Sequence, residues 1–122
     1  MELKEGYYLR TKQGEIHKIK SINDEYIEYE NGFGVPYDLK DYYIVKASNN
    51  IIDLIEVGDY VNGSEVLDFE NKYINENDEF VRFGVITENC YLENTDSWII
   101  EKDIKSIVTK EQFGSMSYKV GE

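Results

Sequence analysis

The sequence has one cysteine, one histidine and one proline among its 122 residues. A lone Cys90 cannot close an internal disulfide, so nothing implies an oxidising compartment. With His17 as the only histidine, the chain lacks the Cys/His sets that hold zinc. A Cys–His nucleophile pair would need residues 17 and 90 to meet, and Cys90, followed by Tyr91 and Leu92, reads as a half-buried structural thiol. No apolar run is long enough to cross a bilayer, and the opening Met-Glu-Leu-Lys-Glu does not follow the plan of a secretory signal. The expected location is therefore the cytoplasm, with no membrane association. Neither a Gly-x-x-x-x-Gly-Lys nor a Gly-x-Gly-x-x-Gly phosphate loop is present. The acids between residues 68 and 79 are interrupted at 71–75 and do not follow the order of an EF-hand. No catalytic residue, metal or cofactor is expected, and the chain is not read as an enzyme.

Positive charge is scarce as well. Thirteen Lys and Arg stand against 25 Asp and Glu, a formal charge of −12. The imbalance is uneven: residues 1–50 carry 9 acids and 7 bases, residues 51–122 carry 16 acids and 6 bases. Such a surface repels nucleic-acid phosphates and excludes direct nucleic-acid binding. It is steered instead towards basic partners, although acidity also serves plain solubility.

What the sequence does have is short β patterns. Residues 51–63, Ile-Ile-Asp-Leu-Ile-Glu-Val-Gly-Asp-Tyr-Val-Asn-Gly, form a dense apolar block ending in a Gly-aromatic strand. It echoes Leu3-Lys-Glu-Gly-Tyr-Tyr-Leu9 near the start. The block reads as a seam between two similar halves. In the first half, residues 7–11, 16–22, 26–30, 33–36 and 42–47 read as strands. Asn31-Gly32 is the best hairpin signal, because both residues accept the positive φ of a type I′ turn. Pro36 lacks an N–H, which marks its strand as an edge or an end. In the second half, strands are expected at 59–61, 65–69, 80–86, 90–92, 97–100, 104–108 and 118–120. Residues 71–78 are expected as a polar loop or loose hairpin, and 109–112 as a capping box. Each half closes through a Lys-Asp turn into an Ile/Val strand, at Lys40-Asp41 and Lys102-Asp103.

That order resembles small SH3-like barrels, in which a 3-10 turn precedes the closing strand. The fold expected is all-β: two small SH3-like units packed in tandem, residues 1–50 and an acidic 51–122, with only short helical or 3-10 turns.

Two features bear on binding. Eleven tyrosines are many for this length, and seven of them (7, 8, 26, 29, 37, 42 and 43) fall in the near-neutral half. Tyrosines suit binding surfaces, and equally they pave a small core. The second feature is acidic: Asp68, Glu70, Glu76, Asp78 and Glu79 are the expected contacts for a basic protein partner. Carboxylates spaced along a β surface can imitate a phosphate backbone.

Lys4-Glu-Gly-Tyr, Arg10-Thr-Lys-x-Gly-x-Ile-x-Lys-Ile, Ala47-Ser-x-Asn-Ile-Ile-Asp-Leu-Ile-Glu-Val-Gly-Asp-Tyr-Val-Asn-Gly63 and Ile107-Val-Thr-Lys-Glu-Gln-Phe113 resemble small uncharacterised proteins of Firmicutes phages and prophages. The resemblance covers most of the chain and brings no catalytic motif. It implies a compact accessory protein acting in a bacterial host cytoplasm. The leading expectation is stoichiometric blockade of a basic host defence or nucleic-acid-handling factor, an acidic mimicry of nucleic acid of the anti-CRISPR kind. The alternative is a sponge for a nucleotide signal in a tyrosine-lined pocket, for which a homo-oligomer interface is one location, with Arg10, Lys18, Lys20 and Arg82 as phosphate contacts. A phage structural module that binds its own kind is the third reading.

Overall fold

In the computed structural model, residues 2–73, 80–88 and 98–113 are described, without the side chains of residues 72, 73 and 80. The chain divides into two compact units, Met1–Leu54 and Ile55–Glu122. Both are antiparallel β structures joined by short helical or 3-10 turns.

The first unit is a five-stranded sheet. Its strands are β1 (Tyr8–Thr11), β2 (Ile16–Ile22), β3 (Tyr26–Tyr29), β4 (Gly34–Pro36) and β5 (Ile44–Ser48). Their spatial order is β4-β3-β2-β1-β5. A 3-10 turn, Tyr37–Leu39, runs directly into the single-turn helix α1 (Lys40–Tyr43) ahead of β5. Leu9, Ile19, Ile27, Tyr29, Val35 and Ile44 make the core, with Leu3, Tyr7, Ile22, Tyr37, Tyr43 and Ala47 packed against it.

The imperfect alternation of β2 has a local cause. Its first part pairs with β1, Leu9 opposite His17. Its second part pairs with β3, Ile19 opposite Tyr29, and the register shifts between Ile19 and Ser21. A bulge there lets Ile19 and Ile22, three apart, both serve the core side of a bent strand. In β1 the residues Leu9, Arg10 and Thr11 are buried in succession, which alternation alone does not allow. The reason is the 3-10 turn Ile51–Leu54, which packs on β1 and β5 and takes a hydrogen bond from Arg10 at the Leu54 carbonyl. Residues 51–54 therefore belong to the first unit, and the division falls at 54/55 where the sequence pattern suggested 50/51.

The second unit has strands β6 (Tyr60–Val61), β7 (Ser64–Tyr73), β8 (Phe80–Thr87) and β9 (Ile107–Val108), in the order β8-β7-β6-β9. Ile99 bridges to Val85 beside β8. Asp59 is fully buried at the start of this unit. One carboxylate oxygen accepts the Glu56 N–H at 2.7 Å and the other the Lys110 N–H at 2.9 Å. The Gly-Asp of the apolar block is thus a pin between the seam and the helical turn at 110–113, satisfied by charge-assisted bonds as a buried carboxylate must be. Thr109 and Gln112 cap that turn reciprocally, each backbone N–H facing the other's side-chain oxygen at 3.4 Å.

Residues 71–73, expected in a polar loop or loose hairpin, take the hairpin form: they continue β7, with Asn71, Lys72 and Tyr73 opposite Arg82, Val81 and Phe80. Here the apolar partner strand holds a polar one in register. The type I′ geometry lies at Asn62-Gly63, with φ of 53° and 82°, and not at Asn31-Gly32, where only the glycine (92°) is left-handed. The first hairpin uses a three-residue loop with Gly32 in the bulge position, and the Gly32 N–H donates to the Tyr29 carbonyl at 3.1 Å.

Candidate functional site

The first unit carries a groove of about 700 Å³. One wall is the β1–β2 turn, with Thr11, Gln13 and Glu15. The floor is His17 of β2 and Tyr29 of β3. Asn31, Phe33, Pro36 and Leu39 from the β3–β4 hairpin and the 3-10 turn form the opposite wall.

The turn that carries Glu15 is tightly tied. The Thr11 N–H donates to the Glu15 carbonyl at 2.9 Å, and the Glu15 N–H returns to the Thr11 hydroxyl at 3.1 Å. On the floor, the His17 imidazole stacks on the Tyr29 ring, with centroids 4.3 Å apart and planes 10° from parallel. His17 Nε2 faces Glu15 Oε2 and Nδ1 faces the Asn31 amide nitrogen, both at 3.4 Å. Asn31 Oδ1 is engaged by the Phe33 N–H at 2.9 Å, so the NH₂ end must point at His17. This network assigns Nδ1 as acceptor and the imidazole proton to Nε2, on the side of Glu15.

Tyr29 is 4% exposed, and its hydroxyl has no hydrogen-bond partner among the described residues. Burial raises its phenol above the usual value near 10.0, and Glu15 and Tyr26 push in the same direction. Phe33, by contrast, is 74% exposed and Leu39 44%. The groove therefore has an apolar lip, a sealed polar group beneath its floor and one carboxylate at its rim. Its described lining contains no lysine or arginine.

The candidate phosphate contacts lie elsewhere and are not brought together. Arg10 is 1% exposed, and its Nη1 donates to the Leu54 carbonyl at 2.9 Å, so it is a core residue and not a surface cation. Arg82, in the second unit, donates to the Ile55 carbonyl at 2.9 Å and stacks 3.8 Å over the Phe69 ring. Lys18 leans over Tyr8, 5.6 Å from the ring centroid, and Lys20 is exposed. Two further lysines cover tyrosines: Lys12 lies 3.9 Å over Tyr42 and Lys40 lies 4.2 Å over Tyr37. Several of the first unit's tyrosines thus shelter lysine stems at the surface.

Of the acids, Asp68 is exposed on β7 with Oδ1 accepting the Phe69 N–H at 2.8 Å, and Glu70 is half-buried on the same strand. Glu76, Asp78, Glu79 and Cys90 lie outside the described residues. Among the described residues no group of three or more His, Cys, Asp and Glu converges as a metal site would.

Sequence reasoning missed the groove. Glu15, Asn31 and Phe33 each read as turn residues, and only the pairing of β2 with β3 places His17 and Tyr29 between them. No family model, no curated protein and no solved structure matches this chain.

Proposed function

We propose that this chain is a phage-encoded binding protein that blocks a basic, nucleic-acid-handling host factor by stoichiometric contact, and not by catalysis. The observation that carries this reading is how the arginines are used. Arg10 and Arg82, the two guanidiniums available for a phosphate ligand, each donate to a backbone carbonyl inside the fold, whereas Asp68 stands at the surface. Of the four candidate phosphate contacts this leaves Lys18 and Lys20, and an ammonium is a point charge without the bidentate fork of arginine. The net charge of −12 adds long-range attraction for a basic partner and repulsion for nucleic acid.

The strand order β4-β3-β2-β1-β5, with a 3-10 turn and a single helical turn ahead of the last strand, supports an SH3-like reading of the first unit. The phage context and the bacterial cytoplasm rest on the resemblance described above.

The test is affinity capture from a Firmicutes lysate at low and high salt. The wild-type chain is compared with one in which Asp68, Glu70, Glu76, Asp78 and Glu79 are all changed to Lys. A basic nuclease or nucleoprotein held at low salt, released at high salt and lost by the variant is the expected result. Undiminished capture by the variant would remove the acidic face from the mechanism.

A further inference from the structure

We infer that the groove of the first unit is a docking site for a lysine- or arginine-bearing peptide segment of a protein partner, whose cationic side chain enters between the Glu15 carboxylate and the Tyr29 hydroxyl. The inference rests on the reading above only in taking the partner to be basic. The groove's lining includes none of the acids of β7.

Charge selects the occupant. The groove offers a carboxylate and no cation, so an anionic ligand would lose hydration and gain no ion pair. A cation gains Glu15 directly. It also gains the exposed ring of Phe33 on the lip.

The sealed hydroxyl points the same way. A buried phenol with no partner among the described residues forgoes the hydrogen bonds it would make in water. An ammonium or guanidinium donor, which accepts nothing, matches its free lone pairs. The hydroxyl is closed to solvent, so the floor of the groove must shift for the ligand to reach it. The two polar contacts described for the His17 ring are long, at 3.4 Å, so this part of the floor is lightly held.

The rest of the groove suits an extended chain. Phe33, Pro36 and Leu39 present apolar surface along one wall, with Phe33 and Leu39 strongly exposed, as a recognition lip does. Strand addition is not the mode. The neighbouring edge strand β4 is three residues long and ends in Pro36, which has no N–H to offer. Side chains, and not a backbone ladder, must carry the contact.

The experiment titrates the ¹⁵N-labelled full-length chain with two acetylated, amidated hexapeptides. Both contain leucine and proline, and they differ only in one central residue, lysine or glutamate. The lysine peptide is expected to move the amide resonances of Glu15, His17, Asn31 and Phe33 saturably, and the glutamate peptide is not. Glu15→Gln and Phe33→Ala, both at exposed positions that leave the remaining spectrum unchanged, should each weaken binding roughly tenfold, the scale of one charge-assisted bond. Absence of saturable shifts, equal binding of the glutamate peptide, or shifts confined to other faces would overturn the inference. Shifts that depend on protein concentration without peptide would mean a second copy fills the groove, and would overturn it too. In the lysate capture, a partner lost on reversal of the five acids but kept by Glu15→Gln and Phe33→Ala refutes the groove and leaves the blockade standing. The opposite pattern keeps the groove and refutes the acidic face.

Discussion

The guanidinium of Arg10 and the carbonyl of Leu54, 44 residues apart in the chain, are joined by a 2.9 Å hydrogen bond inside the first unit. This contact ties the last turn of the unit to its first strand. It also explains why an arginine can sit between two buried neighbours on β1, since the charged group ends on a backbone oxygen that needs a donor. Replacing Arg10 by alanine should lower stability by about 3 kcal/mol, combining a lost charged hydrogen bond with lost packing. Arg10→Lys should recover little, because the shorter head leaves a buried ammonium poorly paired. Urea denaturation reads both. A change within about 0.5 kcal/mol, the usual size for a surface position, would place Arg10 outside the core.

Asp59 in the second unit is expected to be as sensitive. Its two oxygens accept the N–H groups of Glu56 and Lys110, and an amide would turn a donor towards one of them. Asp59→Asn should cost roughly 2–4 kcal/mol, from bonds to a charged acceptor lost in a buried site. The nearby ion pair of Lys110 with Glu56, 2.7 Å but well exposed, should matter far less. Lys110→Ala is expected to cost about 0.5 kcal/mol. Parallel denaturation curves separate the two, and equal losses would mean that the exposed pair and not the buried carboxylate holds the turn at 110–113.

The contrast between these residues shows what a sequence can reveal. The β character was legible, because alternation and turn residues are local signals. The capping box at Thr109 was legible for the same reason. Asp59 was visible as part of a Gly-Asp pattern, but its two partners lie three residues before it and 51 residues after it, and only tertiary structure brings the second near. Arg10 read as a free cation, since its partner is a carbonyl and carbonyls have no sequence signature. Asn31-Gly32 carried the composition of a type I′ turn, yet the loop took the three-residue form and left that geometry to Asn62-Gly63. The groove was the least legible feature, since it depends on a bulge in β2 and on which side chains the register sets face to face.

Tyr29 supplies a test by pH. Its phenol ionises above its usual 10.0 because burial penalises the phenolate, with Glu15 and Tyr26 adding to the shift. The unfolded chain therefore loses this proton at a lower pH than the folded one. Stability from this group is fully present below pH 10 and falls as pH rises past it. Lys110, also raised above its ordinary 10.5, chiefly by its hydrogen bond to Glu56, contributes a loss of the same sign in the same alkaline range. Thermal unfolding should show the midpoint dropping above about pH 10, and Tyr29→Phe should flatten that drop in part. Near neutral pH the same variant should gain about 1 kcal/mol of stability, since the hydroxyl it removes is buried and makes no bond among the described residues. A large loss near neutral pH would reveal a partner for that hydroxyl.

The arrangement of the cations makes a nucleotide ligand the sharpest alternative to exclude. Arg82 is held between the Phe69 ring and the Ile55 carbonyl, and to reach a phosphate it would have to give up both. Arg10 would have to leave the core. Only Lys18 and Lys20 of the four candidates can meet an anion without breaking the fold, and both stand in a chain of charge −12. Cyclic and ADP-ribose-type nucleotides at about 1 mM should therefore move the melting temperature by no more than about 2 °C, because a ligand no tighter than its own concentration adds only about 0.4 kcal/mol. A rise of several degrees that Lys18→Ala and Lys20→Ala abolish together would establish an anion site on β2. It would replace the blockade of a basic protein as the reading of this chain.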